Sequence, residues 1–489
     1  MHLLSQWKRE LYVSLRLLKK IKRYHRKYTA VLVAFFFIVS MPATSSAFSV
    51  KEEQELGAKL LYSVRGAFPL VDDPDIDQYI NSLGDEVLRV AGIQYFDYHF
   101  YVVDSKDFNA FAAPSGLIFF YSGLIAAMNS EDELVSVLAH EIGHVVRRHL
   151  AARMDKGKVS TVATAGLALL ALLTGGALAP ALLVGAMATG RSISLHYSRI
   201  HEEEADLLAY DWMKALHRDP QGQVKMLGTM RRIARYRSEK LPQYLVTHPN
   251  PEARLEYVES LVIIDKKRGG RGIVKVDNFA FFRFKYRVLS QVTESASFRD
   301  LLISLHTSAR STEFEKKMSG YGLALVALRE NDYPRSLQYI NQAIKDFPDK
   351  IALIGDRGYI QLEAGQLVAA EQDLRATLAR DAGNLFAIFN LGRLMARRGD
   401  ITQAEKYYKS VLSAMPEYDK AYYELGRLAS SQKKKGMATY YLGKYNLYRG
   451  RLRLARFNFN QTIKNAKTTK KIKEESEKAL ELLDRLQGK

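Results

Sequence analysis

The chain has 489 residues, 47% of them hydrophobic and 26% charged, a composition that fits two or three folded domains and excludes a disordered or fibrous chain. It contains no cysteine, so disulfides and thiolate metal sites are excluded, and any metal must be held by histidine and carboxylate. The net charge of +19 invites a nucleic-acid reading, but residues 1–28 alone carry nine Lys or Arg against one Glu. The rest of the excess is spread over helical patterns, which suits a solvated or membrane-facing surface, and no nucleic-acid partner is expected.

After the basic segment, Tyr28 to Met41 is a short apolar run, and Ser45 and Ala47 occupy the small-residue positions of a cleavage site. Residues 1–47 read as a secretory signal. The basic region is long for that purpose, and an uncleaved amino-terminal anchor is the alternative. Either reading puts the bulk of the chain outside the cytoplasm.

Residues 50–66 and 74–91 have helical periodicity, with Leu56, Leu60, Leu61 and Val64 in the first and Ile76, Ile80, Leu83 and Val87 in the second. Residues 97–103 alternate as in a strand. Residues 109–121 hold a second strand interrupted by Pro114 and Gly116, and proline in such a pattern marks a sheet edge. Asn109, Ala110, Phe111 and Ala112 are therefore an edge where an extended substrate can pair; a plain hairpin is the competing reading.

Residues 138–144 read Leu-Ala-His-Glu-Ile-Gly-His. In a helix, His140 and His144 are one turn apart on one face and can hold one Zn²⁺ between them, with Glu141 placed to take a proton from an attacking water. Ser130 as N-cap and Glu133 three residues on predict a capping box, and Leu134, Leu138, Ile142 and Val145 an apolar stripe. Arg147, Arg148 and Arg153 suit the carboxyl end of the helix dipole.

Residues 159–190 carry no charge, but Gly175, Gly176 and Pro180 break the run. One straight membrane span would put the two halves of a metal site on opposite faces. A hydrophobic helical hairpin is expected, packed on the catalytic domain or making peripheral contact with a membrane. Residues 199–216 return to a helical pattern. Glu202 and Asp206 there share one helical face and supply the carboxylate that a third ligand requires; Glu203 and Glu204 are rivals. Gly269, Gly270 and Gly272 mark a domain boundary.

Beyond residue 315 the chain repeats. Ala324, Gly358, Gly392 and Gly426 are 34 apart, and Ser336, Ala370, Ala404 and Ala438 follow each by twelve. This is the tetratricopeptide period, in which small residues let paired helices approach, and such stacks form a groove for peptides or partner proteins. Gly443 and Ala455 restart the pattern early. Four units are counted, the first and last imperfect.

The order H-E-x-x-H, hydrophobic insertion, E-x-x-A-D, His248-Pro249 and Arg254 resembles the M48 family of zinc metallopeptidases, and Asn109 to Ala112 with Gly123-Leu124 matches its run-up to the zinc helix. With the signal and the repeats, the layout is similar to the periplasmic barrel-assembly-enhancing subgroup. The resemblance implies an α+β zincin-like (gluzincin) domain over 48–270, mostly helical with a small sheet. A helical linker over 271–315 and an all-α tetratricopeptide solenoid over 316–489 then follow. It implies one Zn²⁺ on His140, His144 and Glu202, Glu141 as general base, and Asp206 orienting a ligand histidine. His248 is left with three roles: hydrogen-bond donor to the oxyanion, fourth ligand that covers the metal, or capped turn. Arg254 is expected to support that loop. His149, His196, His201 and His217 are expected at the surface or in packing.

The function so implied is an exported endopeptidase of protein quality control. Its clients are protein substrates, among them misassembled outer-membrane β-barrel proteins and their assembly machinery, docked by the repeats in the periplasm. The alternatives are a chaperone or assembly scaffold with a latent protease, and an integral-membrane metallopeptidase.

Overall fold

The computed structural model describes residues 49–156, 197–236, 242–269, 272–274 and 276–487. The expected signal over 1–47, the apolar hairpin over 159–190 and His196 lie outside them. Among the described residues, no helix is long and apolar enough to cross a membrane.

Helices α1 (Val50–Ala67) and α2 (Pro74–Ala91) lead into strand β1 (His99–Val103). Asp73 caps α2, its side chain accepting from the Asp75 N–H at 3.0 Å, and Pro74 takes the first turn, where a missing N–H costs nothing. The segment read as one interrupted strand is two strands, β2 (Ala110–Ala113) and β3 (Leu117–Tyr121), joined by a turn at Pro114–Gly116. Ser115 and Gly116 both have positive φ, 67° and 79°, which reverses the chain within three residues. Strand β3 lies in the middle, parallel to β1 and antiparallel to β2, so β2 is both an arm of a hairpin and an edge.

The two edges differ. The outer edge of β1 is closed. The Asn81 side chain accepts from the Phe100 N–H and donates to its carbonyl, both at 3.2 Å, and the Val71 N–H reaches the Val102 carbonyl at 2.8 Å. Among the described residues no backbone partner covers the outer edge of β2.

Short helix α3 (Ser122–Ala127) is followed by α4 (Glu131–Val146), which carries the H-E-x-x-H. The Ser130 Oγ accepts from the Glu133 N–H at 3.3 Å, as the cap predicts. The return bond is displaced by one residue: Glu133 accepts from the Asn129 N–H at 2.9 Å. A stripe was expected on α4, yet every residue from Glu133 to Val145 is buried. The helix is enclosed by β2, α2, α6 (Arg199–Ala215) and α7 (Gln221–Tyr236), with short α5 (His149–Lys156) at its carboxyl end. Helices α8 (Gln243–Thr247) and α9 (Pro251–Lys267) complete this half.

Helix α10 (Phe279–Val292) joins the halves. It buries Phe281, Phe284, Tyr286 and Val288, and it also buries the cations Arg283, Lys285 and Arg287. Arg283 is 2.8 Å from Asp75 and from Asp356, and Arg287 is 2.9 Å from Asp73 and from Asp356. One apolar core runs from α2 through α4 and α10 to Leu353 and Ile360 of the repeats.

After α11 (Ser295–Thr307), four helix pairs follow: α12/α13 (Glu313–Arg329, Tyr333–Asp346), α14/α15 (Ile351–Glu363, Leu367–Arg380), α16/α17 (Leu385–Arg397, Ile401–Ala414) and α18/α19 (Asp419–Ser431, Lys435–Tyr448). The repeated glycines sit at the helix crossings. A Cβ on Gly358 would lie 2.9 Å from Leu374, and one on Gly392 2.7 Å from Tyr408. Gly443 repeats that contact with Phe459, at 2.6 Å, so α19 also pairs forward with α20 (Leu452–Lys464), and α21 (Lys470–Gln487) closes the stack. This is a tetratricopeptide solenoid. It curls back onto the first helices: Gly450, at φ 68°, leaves no room for a Cβ, which would meet the Gly66 nitrogen at 2.4 Å. Arg65 reaches Glu417 at 2.6 Å, and a cavity of about 780 Å³ lies between the solenoid and residues 72–74.

Candidate metal centre

Helix α4 presents His140 and His144 toward α6, which presents Glu202 from its first turn. Ser198 caps α6, accepting from the His201 N–H at 3.3 Å. His248 enters from the end of α8, its ring stacked on Tyr244 at 4.4 Å and its backbone N–H bonded to the Tyr244 carbonyl at 2.7 Å. One donor atom from each of His140, His144, Glu202 and His248 lies within 4.8 Å of all the others, and all four residues are buried. The Nε2 atoms of His140 and His144 are 3.0 Å apart, and Glu202 Oε1 is 3.4 Å from His144 Nε2.

Both carboxylate oxygens of Glu141 and His248 Nε2 are buried without a hydrogen-bond partner. Glu141 Oε1 and His248 Nε2 are 3.6 Å apart, beyond hydrogen-bonding reach. These open polar atoms lie beside the four converging donors, where an ion and its water would satisfy them. Two or three imidazoles with one carboxylate, in a chain without cysteine, is the donor set that suits Zn²⁺.

Asp206, one turn past Glu202, accepts from the His140 Nδ1–H at 3.0 Å, which leaves His140 Nε2 to face the cluster. Arg254 does more than support a loop. Its Nε and Nη2 reach the two Asp206 oxygens at 2.7 and 2.8 Å, and its Nη1 is 2.9 Å from Glu202. Burial alone pushes the Asp206 carboxyl up, but the Arg254 guanidinium outweighs it and holds the group down at about 2. Burial likewise opposes ionisation of Glu202, and His248 and Arg254 overcome it, so Glu202 sits well below the usual carboxylate range. Burial holds His144 well below its ordinary value, keeping the ring neutral as a metal ligand must be.

The rivals of Glu202 point elsewhere. Glu203 pairs with Arg199 at 2.9 Å, and Glu204 with Arg147 at 2.8 Å and His149 at 3.1 Å. Asn109 to Ala112 pass beside α4 at the β2 edge of the sheet. His217 lies in a left-handed turn away from the cluster. His201 has the packing role expected of it, and His149 departs from a simple surface or packing role. His149 is 3% exposed with its Nδ1 2.9 Å from His144 Nδ1, and His201 stacks on His149 at 4.3 Å. Tyr197, stacked on His144 at 4.0 Å, carried no signal in the sequence because nothing local links it to the motif. His149 did leave a trace, five residues past His144 and beyond a helix break.

A histidine pair one turn apart, with an enclosed glutamate between them and a carboxylate from a second helix, defines a zinc-dependent metallopeptidase. The peptidase family M48 model matches residues 74–262. The β-barrel assembly-enhancing protease of Escherichia coli K12 is 30% identical over 69% of this chain and 68% of its own length. The mitochondrial metalloendopeptidase OMA1 of Schizosaccharomyces pombe is 29% identical over 37% of this chain and 51% of its own. The solved tetratricopeptide protein YrrB aligns with a TM-score of 0.26 and 19% identity over 40% of this chain and 94% of its own. The chain belongs to the M48 peptidase family.

Proposed function

We propose that this chain is a zinc endopeptidase of protein quality control whose solenoid docks protein clients. By likeness to relatives named as β-barrel assembly-enhancing proteases, those clients include outer-membrane β-barrel proteins and their assembly machinery, met in the periplasm after export. The observation that carries the chemistry is the enclosed pair of open Glu141 oxygens beside the four converging donors.

His140, His144 and Glu202 would hold the ion, and Asp206 fixes the His140 ring. Zinc, when bound, supplies the Lewis acidity that polarises the scissile carbonyl and acidifies the attacking water. Glu141 takes the proton of that water at its free carboxylate and later delivers it to the leaving amine. The substrate strand pairs with the outer edge of β2, Ala110–Ala113, which carries it past α4.

His248 occupies the fourth position in this arrangement, fully buried, with Nδ1 3.1 Å from Glu202 Oε1 and 3.3 Å from His140 Nε2. We read that as a resting state that must open before a peptide carbonyl can enter. This favours a second reading, a scaffold with a latent protease. Purified Glu141→Gln protein tests the first reading: it should retain zinc and lose proteolysis of a denatured protein, and undiminished cleavage refutes the mechanism. Whether Glu141→Gln still supports barrel assembly in cells lacking the gene separates the two readings.

A further inference from the structure

We infer that His149 is a positioning residue for the metal centre: it fixes the tautomer and ring orientation of His144 through a three-member chain that ends on Glu204. The inference rests on the reading of His144 as a metal ligand and deepens it.

The hydrogen positions follow from the geometry. His144 Nε2 faces His140 Nε2 at 3.0 Å and Glu202 at 3.4 Å, so that nitrogen must present its lone pair to an ion. A neutral imidazole carries one hydrogen, which therefore sits on His144 Nδ1. His149 Nδ1 is 2.9 Å away and accepts it. The hydrogen of His149 is then on Nε2, which donates to Glu204 Oε2 at 3.1 Å. Glu204 is held in turn by Arg147, at 2.8 Å from its other oxygen. The same logic holds on the other ligand, where His140 Nδ1 donates directly to Asp206. Ligand histidines commonly donate their second N–H in this way, and the partner sets ring orientation and raises basicity. Here one partner is a carboxylate and the other an imidazole backed by a carboxylate.

The backbone is shaped to deliver His149. Helix α4 ends at Val146, Arg148 takes a left-handed φ of 52°, and α5 starts at His149 itself. A continuous helix would carry residue 149 about 500° around the axis from His144, onto another face. The break swings it back under the ring. A non-glycine residue in the left-handed region costs free energy, and such residues persist where surrounding contacts impose them. The imposing contact is present: Arg148 reaches Glu53 of α1, a carboxylate 3% exposed, at 3.0 Å. His201 stacks on the His149 ring, at 4.3 Å and 15° between planes, and restrains its rotation.

The test uses the full chain and four variants: His149→Leu, His149→Gln, Glu204→Leu and His144→Ala. Zinc affinity is measured by competition with a chromophoric chelator, folding by circular dichroism, and kcat and KM on labelled casein. His149→Leu should bind zinc about 10- to 100-fold more weakly. It should also lose kcat with KM little changed. His149→Gln can still accept at one end and donate at the other, and should recover affinity to within a few-fold of the parent. Should His149→Leu not fold, Glu204→Leu is read instead, with a several-fold loss expected. In protein labelled with ¹⁵N-histidine and loaded with zinc, the His144 hydrogen should be on Nδ1 and the His149 hydrogen on Nε2. If His144→Ala abolishes zinc binding while His149→Leu and Glu204→Leu bind as the parent does, the inference is overturned and the metal site stands. If His144→Ala also binds as the parent does, the metal site falls with it.

Discussion

Arg254 closes a fork on Asp206, at 2.7 and 2.8 Å, and with its third nitrogen stands 2.9 Å from Glu202. One guanidinium thus bridges two carboxylates that are each 1% exposed and offsets one of their two charges. Removing one partner of such a buried set leaves charge without compensation and costs about 3–5 kcal/mol. Arg254→Met should lower the denaturation midpoint of the zinc-free protein accordingly, while zinc recovers part of the loss by neutralising Glu202. Arg254→Lys keeps the charge but not the fork, and should fall between the two. Equal midpoints for all three proteins would show that the pairing contributes nothing.

His248→Ala removes one of the four converging donors. With His140, His144 and Glu202 intact, the variant should keep one zinc per chain, and cleavage of a short fluorogenic peptide should rise several-fold. A fall in cleavage with zinc retained would instead assign His248 to stabilising the oxyanion, a loss of about 10²–10³ in kcat being typical of such donors.

Asp356 accepts from Arg283 and Arg287 within a network that also holds Asp73 and Asp75. It is the solenoid's contribution to a buried link with α2. Asp356→Leu removes the carboxylate that Arg283 and Arg287 share, while Asp75 and Asp73 still pair with them, and should cost about 1.5–3 kcal/mol in lost charged hydrogen bonds. Its zinc affinity should remain that of the parent, since no member of the network reaches the metal centre. Calorimetry and metal titration together check this.

Asp419, where the solenoid meets residues 72–77, is pushed up to about 7, first by burial and then by the neighbouring Asp72, against the pull of Arg449 at 3.2 Å. Lys420 and Asp77 face the same cluster. The folded chain therefore binds a proton there that the unfolded chain releases near pH 4. The stabilisation is fully present below about pH 4 and is lost as pH rises through about 7, an effect on the order of a few kcal/mol. Thermal midpoints should fall from pH 5 to pH 8, and Asp419→Asn should flatten the slope. An unchanged slope in that variant would move the effect elsewhere.

The readings that needed only short-range geometry were legible in the chain. His140 and His144, or Glu202 and Asp206, are one helical turn apart, and their common face follows from 3.6 residues per turn. The repeats announce themselves because each crossing needs a small residue at the same place, as Gly358 and Gly392 show against Leu374 and Tyr408. The stripe on α4 was incomplete because burial on all sides depends on what packs around a helix. Residues 109–121 read equally as an interrupted edge strand or a plain hairpin, because a three-residue reversal through Ser115 needs a positive φ that serine rarely advertises.

What tertiary structure alone decided is which distant groups meet. The sequence suggests only that Arg254 supports the loop of His248, and it sits between Glu202 and Asp206 because α9 packs against α6. His149 left its helical face because Arg148 breaks the helix to reach Glu53, on a helix nearly one hundred residues earlier. Asp356 joins Asp73 and Asp75 because the solenoid curls back, a curvature summed over many small crossings. The sequence by itself determined the metal-binding chemistry, the helix that carries it and the repeat that follows, since each is written in the period of one element. Charge compensation and the seat of His248 were decided by packing between residues about fifty to one hundred positions apart, and the ring orientation of His144 by a helix break that brings His149, five residues on, back to it, none of which a local pattern encodes.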